Sequence, residues 1–112
     1  MCCYRRKIMM KELTKNEMKK ITGTCFRGYI ETTYDELVAR FGEPYIAPHD
    51  DHKVDTEWII DTPCGIATIY NYKDGVRYAG KNGTAIKDIR IWHIGSKSNR
   101  SYEWVCRQLV TD

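Results

Sequence analysis

The stretch from Val54 to Lys73 constrains the fold more than any other part of the chain, because it reads as a β-hairpin with two unlike faces. Val54 to Ile60 and Ile66 to Tyr72 are rich in β-branched and aromatic residues, and Thr62-Pro63-Cys64-Gly65 between them carries turn chemistry. Pairing Asp61 with Ile66 sets Trp58 opposite Ile69 and Ile60 opposite Ala67. Side chains alternate along a strand, so these four share one oily face. On the other face Asp55 is expected opposite Tyr72, Glu57 opposite Tyr70, and Ile59 opposite Thr68. The hairpin thus offers a core side and a binding side of phenols and carboxylates.

Two amphipathic helices are legible. Thr33 and Glu36 fit a capping box, and Tyr34, Leu37, Val38 and Phe41 follow as one apolar stripe that Gly42 and Pro44 end. Near the C-terminus Ser96 or Ser98 can cap a helix whose stripe is Tyr102, Val105, Cys106 and Leu109, with Cys106 a small core residue. A strand is expected over Thr22 to Glu31, with Phe26 and Gly28 on one side and Tyr29 on the other; Gly28 marks a bulge or a close approach. Another strand is expected over Ile86 to Gly95, with Ile89, Ile91 and His93 facing one way. Val76 to Ala79 reads as a short strand or an excursion, and Gly80 to Thr84 as a turn. The expected architecture is α+β: an antiparallel sheet of about four strands, in the order β-α-β-β-β-α, with both helices on one face.

The chain length suits one domain, residues 21–112, preceded by a basic arm, residues 1–20, that is disordered or a short helix. The arm holds seven Lys/Arg against two Glu, so the formal charge of +3 leaves −2 on the remainder. Any attraction to nucleic acid is therefore expected from the arm rather than from the folded body. An odd number of scattered cysteines, five in all, points to reduced thiols and a cytoplasmic location. No apolar run reaches the ~20 residues of a membrane span, and no signal-peptide core is evident.

Chemistry-bearing motifs are few. The loop from Pro44 to Lys53 holds His49, Asp50, Asp51 and His52, but no second ligand pair closes a zinc tetrahedron, so it reads as a solvated acidic rim and no metal is assigned. Walker, dinucleotide, G-x-S-x-G and H-E-x-x-H signatures are absent. A nuclease, metal-dependent or histidine-based, built on His93, Arg90, Lys97 and an acid such as Glu57 is chemically conceivable, although any chain of this length offers such a set by chance. His93 by itself reads more simply as a hydrogen-bonded surface residue. The expectation is a protein that acts by binding, with no catalytic residue and no cofactor.

Ala67 to Lys73, Ile91 to Gly95, Tyr34 to Val38 and Phe41-Gly42-Glu43-Pro44 together resemble small uncharacterised bacteriophage-encoded proteins over roughly Ile21 to Gly95. The resemblance implies an accessory protein that binds a host protein, such as an inhibitor of a CRISPR or other immune system. The residues expected to make that contact are Asp55, Glu57, Tyr70 and Tyr72, with Asp50 and Asp51 as the rim. The alternatives are a single-stranded nucleic-acid or nucleotide binder that stacks bases on Tyr70 and Tyr72, and the nuclease.

Overall fold

The computed structural model describes residues 14–47 and 52–109. A first helix, α1 (Lys15–Ile21), starts at a complete capping box between Thr14 and Glu17, placing part of the basic arm in a helix. Strand β1 (Cys25–Glu31) is followed by α2 (Tyr34–Phe41), where the Thr33 hydroxyl accepts the Glu36 N–H at 3.1 Å. Then come β2 (Tyr45–Ile46), β3 (Thr56–Thr62), β4 (Gly65–Tyr70), a single-turn helix α3 (Val76–Ala79), β5 (Ile91–Ser96) and α4 (Asn99–Leu109). Ser98 caps α4, its hydroxyl accepting the Ser101 N–H at 3.3 Å.

All pairings are antiparallel, in the order β1-β5-β4-β3-β2. The hairpin forms in the register its sequence implies, with Trp58 opposite Ile69, Ile60 opposite Ala67 and Asp61 opposite Ile66. Its turn closes on Gly65 at φ +118°, a backbone conformation that residues with a side chain rarely adopt, while the Thr62 hydroxyl donates to Gly65 O at 2.6 Å. The α+β class holds, with both long helices contributing to one core: Leu37 of α2 and Val105 of α4 pack with Trp58, Ile69, Trp92 and Ile94. Among the described residues no helix is long and apolar enough to cross a membrane.

Three expectations are corrected. The sheet has five strands rather than four, because Tyr45–Ile46 pairs with the start of β3 and the Thr56 hydroxyl donates to Tyr45 O at 2.8 Å. Of the two readings of residues 76–79, the short strand gives way to a single helical turn. The last strand starts at Ile91 rather than Ile86: a 3-10 turn at Ile86–Asp88 precedes it and sends Ile89 into the core, away from the face of His93.

The bulge expected near Gly28 is present between Phe26 and Gly28 in the β1–β5 ladder. Gly28 faces the core, where a Cβ would lie 2.5 Å from the Tyr102 hydroxyl of α4. A side chain here would have to displace the Tyr102 ring.

Among the described residues Cys25, Cys64 and Cys106 are free thiols. Burial pushes the Cys106 thiol above its ordinary pKa, as suits a protonated group packed against the core.

Candidate functional site

One cross-strand row organises the face opposite the helices. Tyr45, Glu57, Tyr70, His93 and Tyr29 are successive partners across all five strands. The neighbouring row is Ile59, Thr68, Gly95 and Phe26. Without the bulge Phe26 and Tyr29 would point to opposite sides, as strict alternation along β1 predicts. The extra residue, Arg27, resets the alternation and puts both rings on the open face, while its own guanidinium donates from Nε to Ser96 O at 3.3 Å. Gly95 offers no side chain in the second row, so Phe26 leans toward His93.

The result is a ring of aromatics around one imidazole. The His93 centroid lies 4.8 Å from Tyr29, 5.4 Å from Phe26, and 5.5 Å from both Tyr70 and Tyr72. Phe26 meets Tyr29 edge to face at 5.0 Å, and Tyr70 meets Tyr72 in the same manner at 6.4 Å. These five side chains line an open concavity of about 450 Å³. Phe26 is 49% exposed and Tyr29 59%, a large apolar area for one side of a small sheet.

Electrostatics favour neutral rings here. Burial pushes the Tyr70 phenol above its ordinary pKa, with Glu57, Tyr72 and Tyr29 adding to the effect. Burial pushes His93 below its ordinary value, and the Asp74 carboxylate opposes that only in part. Its Nδ1 is buried with no hydrogen-bond partner among the described residues. The imidazole is therefore an uncharged aromatic at neutral pH, not the hydrogen-bonded surface histidine that the strand's end suggests.

A pH signature follows. A histidine with a depressed folded pKa leaves stability unchanged above the ordinary value of ~6.5 and weakens the fold as pH falls below it, because the unfolded chain protonates first. The loss is complete once pH drops below the folded value. Denaturant unfolding at pH 7.5 and 5.5 is expected to show a decline that is smaller in His93→Gln. An equal decline in wild type and variant would refute the assignment.

The expected contact residues divide. Tyr70 and Tyr72 belong to the aromatic ring, and Glu57 stands beside Tyr70 in the same row. Asp55 does not face Tyr72, because the β3–β4 ladder ends at the Glu57–Tyr70 pair. Beyond it the Asn71 side chain replaces the ladder: Oδ1 accepts the N–H groups of Asp55 and Thr56 at 2.9 and 3.2 Å. Asn71 Nδ2 donates to the carboxylates of Asp55 and Asp74 at 2.9 and 3.0 Å, and Asp55 Oδ2 accepts the Arg77 N–H of α3 at 3.4 Å. Asp55 is a structural tie. Asp50, Asp51 and His49 lie outside the described residues, and among the described residues no cluster of three or more ligands could hold a metal.

Two members of the alternative nuclease set stand apart from His93 along the chain. Arg90 and Lys97 flank β5 at its two ends, and the strand rise of ~3.3 Å per residue holds their backbones roughly 10 and 13 Å from that of His93. Sequence reasoning missed Phe26 and Tyr29 as partners of the tyrosines. The available signal was Gly28, whose bulge decides which side they face.

The Lys73 ammonium sits 5.4 Å from the Tyr72 centroid and 5.7 Å from that of Tyr78, so one cation already rests on the outer edge of the patch. Comparison with protein-family models, with curated proteins and with solved structures returns no match.

Proposed function

We propose that the protein is a binding module that captures a protein partner on the open aromatic face of its sheet. The carrying observation is the exposed cluster of Phe26, Tyr29, Tyr70 and Tyr72 about a neutral His93. Such rings bury large area with few rotatable bonds, and tyrosine keeps a polar edge for hydrogen bonding. A likeness to small bacteriophage proteins, read from the sequence, would make the partner a host protein, such as a component of an immune system. The packing of His93 among rings, away from Arg90 and Lys97, supports binding over catalysis.

Stacking of single-stranded nucleic acid is the second reading, and two observations favour it. Asp55 is withdrawn from the face, leaving Glu57 as the carboxylate in the row, and Lys73 stands at the rim where a phosphate would lie. The negative balance of residues 21–112 counts against it.

Affinity capture from a bacterial host lysate, with and without nuclease, separates the two. Tests use the chain from Met18 onward as well as the full chain, since the basic arm alone can hold nucleic acid. The expected result is a nuclease-resistant partner that Tyr29→Ser/Tyr70→Ser fails to retain. Nuclease-sensitive capture would favour the stacking reading. Retention of the partner by the double variant would place the contact elsewhere.

A further inference from the structure

We infer that the aromatic concavity receives an arginine side chain of the protein partner, its guanidinium laid against Tyr29, His93 and Tyr70. The inference rests on the protein-binding reading above and names the chemistry of the group recognised.

Aromatic faces carry negative quadrupole charge and attract cations placed within about 6 Å of a ring centroid. Here four such rings and an uncharged imidazole bound one concavity. The local carboxylates have the complementary sign: Glu57 stands next to Tyr70 in the cross-strand row, and Asp74 acts on His93. Both make themselves felt electrostatically, Glu57 by holding the Tyr70 proton and Asp74 by favouring a proton on His93. Lys73 marks the other limit of the site. Its ammonium occupies the flank of Tyr72 toward Tyr78, which does not line the concavity, so the Tyr29–His93–Tyr70 side is where a further cation fits.

Geometry selects guanidinium over a compact ammonium. Tyr70 and His93 are inclined by only 31°, forming a broad, nearly continuous surface rather than a closed box. A planar guanidinium stacks on such a surface, while its N–H groups remain directed outward toward carboxylates such as Glu57. A lysine ammonium is a compact, strongly hydrated charge that covers little of such a surface, and a quaternary ammonium has no N–H to offer Glu57 and is better served by an enclosing cage.

The test is an NMR titration of the full chain with N-acetyl-arginine amide, N-acetyl-citrulline amide, tetramethylammonium and oligo-thymidylate, read at the ring signals so that binding to the basic arm does not count. Citrulline matches arginine in shape but lacks the charge. Arginine is expected to shift the ring signals of Tyr29, Tyr70 and His93 saturably, about fivefold or more tighter than citrulline and tighter than tetramethylammonium. Tyr70→Phe keeps this preference, whereas Glu57→Gln narrows the arginine–citrulline gap. Equal binding of arginine and citrulline, or no saturable shift up to about 100 mM probe, would overturn the inference. So would tighter binding of oligo-thymidylate to the same rings. If lysate capture depends on Tyr29 and Tyr70 while arginine binds no better than citrulline, this inference fails and the protein-binding reading stands.

Discussion

Replacing Trp58 with alanine is expected to destabilise the fold by about 3–5 kcal/mol. The indole is 2% exposed, and its ring meets Trp92 edge to face at 5.4 Å and Tyr34 at 5.8 Å. Its Nε1 also donates to Gly42 O at 2.7 Å, pinning the end of α2 to the middle of β3. Gly42 is exposed, so its carbonyl would turn to water once the donor is gone. Most of the loss must therefore come from the cavity between sheet and helices. Trp58→Phe separates the parts: it retains much of the ring and forfeits the hydrogen bond, worth about 1 kcal/mol net. Against a typical domain stability of about 5–15 kcal/mol, the alanine variant sits near the edge of folding at room temperature. Tyr70→Ala, on the open face, is expected to cost less than half as much. Equal midpoint shifts for Trp58→Ala and Tyr70→Ala in denaturant titrations would contradict the assignment of the two faces.

That contrast between faces was legible because the hairpin is local. Alternation over Trp58–Ile60 and Ala67–Ile69, with a turn of fixed length between them, leaves one register that buries the indole. The helical stripes are equally local, and Leu37 and Val105 entered the core where their spacing put them. What the sequence concealed is non-local or carried by a single residue. β1 lies beside β5, its partner sixty or more positions away, and nothing in either strand announces the other. The neighbours of His93 are therefore hidden from the sequence, which groups it with Ile91 and, wrongly, with Ile89. Phe26 was assigned to the wrong side of β1 relative to Tyr29, because Gly28 signals a bulge without saying how many residues lie on each side of it. β2 is too short for any periodicity to show.

The aromatic face joins these two levels of information. Tyr70 and Tyr72 come from the hairpin, which the sequence specifies almost alone. Tyr29, Phe26 and His93 come from the β1–β5 pairing, which only the packed sheet determines. A partner that reads all five side chains therefore reads the completed fold, and a chain with β1 detached would lose Phe26 and Tyr29 and keep three of the five.

The remaining large effect is expected at Asn71, a buried residue whose importance no sequence pattern suggested. Its side chain satisfies two backbone N–H groups of β3 and bridges the Asp55 and Asp74 carboxylates, while Lys73 N–H donates to Lys53 O at 2.8 Å beside it. The glycine that opens α3 is tied to the same spot: a Cβ on Gly75 would fall 2.0 Å from Asp55 Oδ1. Asn71→Ala leaves the Thr56 and Asp55 N–H groups without their acceptor. At ~1–3 kcal/mol for a buried donor left unpaired, and less for the part-buried Asp55 N–H, the loss should reach about 2–5 kcal/mol. Asn71→Asp is the sharper probe. It keeps an acceptor for both N–H groups but replaces the bridging donor with a third carboxyl group beside Asp55 and Asp74. Repulsion then raises the pKa of the introduced carboxyl above its unfolded value of ~3.9, so the folded state binds the extra proton. The deficit of this variant against Asn71→Ala should consequently shrink as pH falls toward 5, opposite in sign to the contribution of His93. Denaturant unfolding of both variants across that range makes the comparison. A deficit that does not change with pH would show that lost shape, not charge, is what the Asn71 amide protects against.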